Sequence, residues 1–199
     1  MVRQIIFDLS EVLIAGLLGI EKPLSRELSL PEAEIPSRFL GSLLEELLLG
    51  DISEEAYLRT IIERESWPVE IARLRQIILA NFHREVEGSL AVLTSLDSKY
   101  ELSLHSDHVR EWISYIRSVH PFMQLFHHAF FSYELGRLKH DPQAFLIVLE
   151  QLAASPQDCL FIDDNPKNIQ AAQSVGLPCI CFRNAQQLRA ELSKLHLLD

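Results

Sequence analysis

Four short stretches place reactive groups where apolar, strand-like runs end. Ile5-Ile6-Phe7 runs into Asp8, and Leu104-His105 into Ser106-Asp107. Gly136-Arg137-Leu138 leads to Lys139, and Leu160-Phe161-Ile162 ends on Asp163-Asp164-Asn165. Ligands of open α/β sheets bind just beyond the carboxyl ends of the strands, so a parallel sheet would gather all four at one rim. Asp8, Asp163 and Asp164 then form an all-oxygen site suited to Mg²⁺, a hard cation that takes few protein carboxylates and otherwise keeps water. Such an ion offsets the repulsion between Asp8 and an incoming phosphate, which leaves Asp8 a candidate covalent nucleophile at phosphorus. Lys139 would screen both partners. The Ser106 hydroxyl, with the adjoining Asp107 position and nearby backbone N–H groups, would bind a phosphate oxygen.

The elements that must position these groups follow from periodicity. After Leu13 comes a long helical stretch, in which Leu40, Leu43, Leu44, Leu47 and Leu48 share one face and read as the core of a small bundle. Gly50 suits the position just past that helix. Ser53 is a candidate N-cap for the next, whose stripe is Tyr57, Leu58, Ile61 and Ile62. Pro68 suits the first turn of a third helix, with a core face of Ile71, Leu74, Ile77 and Ile78. From Leu90 onward, helices alternate with short strands at Tyr100–His105, Ala129–Ser132, Leu160–Asp163 and Pro178–Phe182. That alternation implies an α/β fold, a parallel sheet covered on both faces.

Composition bounds the rest. The 199 residues, 48% hydrophobic and 23% charged, suffice for one full core with a smaller accessory lobe. No apolar run approaches the ~18 residues of a membrane span, and the start of the chain carries no export signal. A net charge of -10 argues against nucleic acid and against an anionic membrane as partners. Three cysteines cannot pair completely, and Cys179 and Cys181 read as small buried hydrophobes on one strand face. A cytoplasmic setting is the expectation. His105, His108, His127 and His128 lack metal-ligand spacing and read as strand-edge and surface histidines.

In order and in strand context, Phe7-Asp8, Ser106, Gly136-x-x-Lys139 and Phe161-Ile162-Asp163-Asp164-Asn165 with Asn168 resemble the four motifs of the haloacid dehalogenase-like hydrolases. The resemblance covers nearly the whole chain. It implies a Rossmann-like, three-layer core of residues 1–14 and 88–199 with strand order 3-2-1-4-5, and an inserted helical cap at 15–87. It also implies Mg²⁺-dependent phosphoryl transfer through an aspartyl-phosphate on Asp8, with the Ser10 backbone carbonyl joining Asp8, Asp163 and Asp164 around the metal. The substrate would be a small phosphate ester. Phe7-Asp8-Leu9-x-x-Val12 and Gly50-Asp51-Ile52-Ser53-Glu54-Glu55 are similar to bacterial α-glucose-1-phosphatase-like members, which points to a sugar 1-phosphate.

Three positions depart from the family's pattern. Ser10 stands where most of its phosphatases carry an aspartate that protonates the leaving oxygen. General acid–base catalysis contributes roughly 10²–10⁴-fold, so the chain is suited to esters whose oxygen leaves readily, such as a hemiacetal phosphate. Glu11 is the nearest spare carboxylate. His140 replaces the usual proline after the lysine, which loosens the aim of Lys139, and Asp107 replaces a common asparagine, which adds negative charge. Two other readings use the same residues. One is a metal-independent haloacid dehalogenase, disfavoured by the paired Asp163-Asp164. The other is a catalytically silent relative that only binds.

Overall fold

The computed structural model describes residues 2–198; Met1 and Asp199, the two ends of the expected core, lie outside them. Five short strands form one parallel sheet: β1 (Gln4–Phe7), β2 (Glu101–Ser106), β3 (His128–Phe131), β4 (Cys159–Asp163) and β5 (Cys179–Cys181), in the order β3-β2-β1-β4-β5. The order reverses beside β1, so the carboxyl end of β1 lies in the crevice where such sheets take ligands.

Between β1 and β2 come α1 (Glu21–Leu28), α2 (Pro36–Phe39), α3 (Ser42–Leu49), α4 (Glu54–Glu65), α5 (Ile71–Asn81) and α6 (Ser89–Asp97). The remaining helices are α7 (Arg110–Val119), α8 (Ser132–Leu135), α9 (Pro142–Gln151), α10 (Pro166–Ser174) and α11 (Ala185–Lys194). Side chains alternate between the two faces of a strand, and here both faces are apolar, as a doubly covered parallel sheet requires. Ile5, Phe7, Leu102, Leu104, Leu160 and Ile162 pack under α6, α7 and α11, in a core that continues into the helical block. Ile6, Phe130, Cys159 and Phe161 face α9 and α10 instead.

Local signals set most boundaries. Gly50, at φ 80°, ends α3 in the left-handed region that a Cβ disfavours. The Ser53 hydroxyl accepts the Ala56 N–H at 3.2 Å and caps α4. Asp141 and Asn165 cap α9 and α10 in the same way, each before a proline in the first helical turn. Pro68, by contrast, stays outside α5, which begins only at Ile71 after Glu70.

Other expectations fail for reasons of position. On the edge strand β5 only Ile180 is buried, while Cys179 is half-buried and Cys181 exposed. His127 and His128 are exposed, but His105 and His108 are interior. The His105 ring lies on the α9 side of the sheet, edge-on to Phe145 at 5.1 Å, and neither nitrogen has a hydrogen-bond partner among the described residues. Burial, aided by the charge of Lys139, holds its pKa well below the usual value.

An unfolded chain protonates His105 below about pH 6.5, whereas the folded chain resists, so acid costs stability at up to ~1.4 kcal/mol per pH unit. His105→Leu is therefore expected to gain on the parent by about 1–2 kcal/mol between pH 7 and pH 5. Urea unfolding at both pH values checks it, and a constant difference would refute it.

Candidate active site

The sheet brings the reactive groups to one rim. The Asp8 N–H bonds to the Ile162 carbonyl at 2.9 Å, so Asp8 stands where β1 leaves the sheet beside the end of β4. Its carboxylate is buried and meets the Lys139 ammonium at 2.5 Å. Lys139 arrives on the turn after α8 and reaches Asp163 at 2.7 Å as well. Asp163 accepts further bonds from the Asn165 N–H at 2.8 Å and from the Asn168 amide at 3.1 and 3.2 Å, so α10 fixes the carboxylate in place. Asp8, Asp163 and Asp164 each offer an oxygen within 4.8 Å of the others. One ammonium thus faces three close carboxylates, and a small divalent cation with oxygen preference fits both the charge imbalance and the donor type. The Ser106 hydroxyl, at the end of β2, is fully buried and has no partner among the described residues.

The charges shift accordingly. Burial, resisted by Lys139 and reinforced by Asp163, pushes the Asp8 carboxyl up to about 8. Burial and Asp163 raise Asp164 too. Burial alone would neutralise Lys139, but Asp163, Asp8 and Asp107 hold it well above the ordinary lysine value. Lys139 is therefore the fixed cation of the site.

The three departures take definite form. The Asp107 carboxylate turns to the Lys139 backbone N–H, at 3.0 and 3.1 Å from its two oxygens, so it anchors the segment that bears the lysine. The loosened aim expected from His140 does not arise, because Lys139 is held at both its backbone and its ammonium. Ser10 is half-buried against Gly16, where an added Cβ would come within 2.9 Å of the Ser10 Cβ. Glu11, at φ 61°, accepts the Gly16 N–H at 2.7 Å, which ties its carboxylate to the segment entering the helical block.

Two features were not anticipated. The Trp112 indole of α7 donates to Glu54 of α4 at 2.8 Å, and the Ser132 hydroxyl donates to the Leu48 carbonyl at 2.6 Å, so the helical block is bonded to the sheet layer. The leucine face of α3 is also divided. Leu47 is buried in the bundle, whereas Leu44 and Leu48 line a cleft beside Ser10 and Asp107. Leu40 lies outside the helix and is 59% exposed. Amphipathic spacing marks such a stripe as apolar without saying what covers it.

A family profile of haloacid dehalogenase-like hydrolases matches residues 2–176. The chain belongs to this family of hydrolases. D-ribitol-5-phosphate phosphatase of Bacteroides thetaiotaomicron is 21% identical, over 97% of this chain and 98% of that protein. Flavin mononucleotide hydrolase 1 of Arabidopsis thaliana is 43% identical over 60 residues, which are 30% of this chain and 24% of that one. The match thus spans about a quarter of the plant protein. Among solved structures, a haloacid dehalogenase-family enzyme of B. thetaiotaomicron, in complex with magnesium and inorganic phosphate, superposes with a TM-score of 0.73 at 21% identity, covering 92% of this chain and 96% of that one. That likeness is one of fold.

Removing one partner of a buried ion pair typically costs 3–5 kcal/mol, because the other charge is left uncompensated. Lys139→Met is expected to lose about that much at pH 7.5 in EDTA. The loss should shrink at pH 5, where the carboxyls left behind take up protons. Equilibrium urea unfolding at the two pH values measures it; a loss that stays constant would show that Lys139 does not neutralise the cluster.

Proposed function

We propose that the protein is a Mg²⁺-dependent phosphatase acting on a small phosphorylated metabolite. The observation that carries this reading is the cluster of buried Asp8 and Asp163, paired with Lys139, and half-buried Asp164, beside the unpartnered Ser106 hydroxyl. Family membership and the similarity to D-ribitol-5-phosphate phosphatase support it.

Asp8, Asp163, Asp164 and the Ser10 carbonyl would hold Mg²⁺. When bound, the ion supplies positive charge that lets an anionic carboxylate and an anionic phosphate approach. The Asp8 carboxylate forms the new O–P bond as the ester P–O bond breaks, which leaves an aspartyl-phosphate and the departing alkoxide. Lys139 keeps Asp8 oriented and offsets charge on the phosphoryl oxygens, and Ser106 with the backbone at Asp107 donates to one of them. Water then attacks phosphorus, releasing phosphate and restoring Asp8.

With Ser10 in place of a carboxylic acid, the alkoxide receives its proton from water. Esters with weakly basic leaving oxygens are favoured; by leaving-group chemistry alone a sugar 1-phosphate and an aryl phosphate both qualify, and the choice between them falls to the walls of the site. The insertion at 15–87 would act as the cap that covers this chemistry.

Purified protein should release phosphate from such esters with Mg²⁺, and should stop with EDTA. Asp8→Asn is expected to lose at least ~10³-fold, as for removal of a covalent nucleophile. A broad panel that yields no phosphate would leave a protein that binds without turning over. Ser10→Asp is expected to raise kcat on simple alkyl phosphates by ten-fold or more, consistent with the ~10²–10⁴ that general acid–base help provides. No gain at any pH between 5 and 8 would show that proton transfer does not limit the parent.

A further inference from the structure

We infer that the ester group accepted at this site is apolar, an alkyl or aryl alcohol rather than a polyol or a carboxylate-bearing alcohol; the assignment rests on the phosphatase reading above. A cleft of about 250 Å³ opens beside Ser10 and Asp107, the residues next to the proposed phosphate position.

Leu17, Leu18, Leu40, Leu44, Leu48 and Trp112 form its walls. Leu18 and Leu40, 60% and 59% exposed, stand among the few exposed large hydrophobic residues described. Their place at a cleft that adjoins the reactive carboxylates gives that exposure a use, since a substrate chain laid over them removes the apolar surface from water.

Four side chains of the cleft spend polar atoms on the protein itself, which leaves the Ser10 hydroxyl and one nitrogen of His108 as its polar features. Glu11 accepts the Gly16 N–H, the Asp107 carboxylate faces the Lys139 N–H, and Nδ1 of His108 accepts the Val109 N–H at 2.9 Å. Trp112 gives its one N–H to Glu54. No lysine or arginine lines the cleft, whereas two carboxylates do. A second anionic group on the substrate would meet repulsion with nothing to pair it. That excludes phosphorylated hydroxy acids, and a polyol would find few free donors or acceptors. An aryl ester meets both demands of the site: its oxygen leaves without an acid, and its ring suits Leu and Trp walls.

Binding of non-hydrolysable phosphonates separates this inference from turnover. Methyl-, butyl- and hexylphosphonate, with a polyhydroxyhexyl phosphonate as comparator, would be titrated into the protein with Mg²⁺ by calorimetry and by tryptophan fluorescence. Affinity is expected to rise roughly three- to four-fold per methylene, the equivalent of one buried CH₂, and the polyhydroxy analogue to bind no better than methylphosphonate. Leu40→Gln, at an exposed position that leaves folding intact, should lower hexylphosphonate affinity at least five-fold, and Leu44→Asn by more. Affinity independent of chain length, tighter binding of the polyhydroxy analogue, no binding at all, or indifference to both leucine variants would each overturn the inference. Phosphate release from p-nitrophenyl phosphate is read separately. A graded phosphonate series without release defeats the phosphatase reading alone, whereas release with a flat series defeats only the apolar cleft.

Discussion

A buried ammonium among carboxylates is the constraint from which the rest of the site follows. Lys139 is 2% exposed and lies 2.5 Å from Asp8 and 2.7 Å from Asp163. A charge so placed survives only where opposite charge outweighs its desolvation, and the carboxylates in turn need it to offset their mutual repulsion. The sheet provides the frame: β1 and β4 run side by side and end together, so Asp8 and Asp163 cannot avoid each other. The turn after α8 then has to deliver the lysine to that spot and no other. Asp107 and the α10 amide of Asn168 complete the arrangement by fixing the lysine's backbone and the Asp163 carboxylate.

Those supports recast two irregularities of the chain. An aspartate at 107 looked like surplus negative charge beside a phosphate, yet both its oxygens face a buried N–H. The residue after Lys139 need not be a rigid proline when the lysine's own amide is anchored. Position 10 is different. Ser10 lies against a glycine whose missing side chain makes room for it, and no neighbouring carboxylate takes over its vacant chemistry. Glu11 is bonded to the backbone five residues further on, at the entry to the helical block.

How much of this was legible in the sequence depended on the range of the interaction. Strand ends at Asp8, Ser106 and Asp163, the cap at Ser53, and the stop at Gly50 are local signals, and they could be read directly. The alternation of strands with helices announced a sheet covered on both faces. Burial of His105 and His108 was not legible, because nothing in their neighbours along the chain reports that α9 and α5 pack over them. Cys181 was misjudged because a strand pattern does not reveal which strand is the edge. Likewise the leucines of α3 are alike in spacing, and only the packing of the block against the sheet layer divides Leu47 from Leu44 and Leu48.

Glu54 belongs to two partnerships at once, the Arg75 guanidinium at 2.7 Å within the helical block and the Trp112 indole across the boundary. If the two layers separate, the ion pair travels intact with the block, and only a neutral donor is given up. The seam of the molecule is thereby drawn along its weaker bonds. A ligand bulkier than the cleft could be admitted by parting the layers there with the Glu54–Arg75 ion pair left whole.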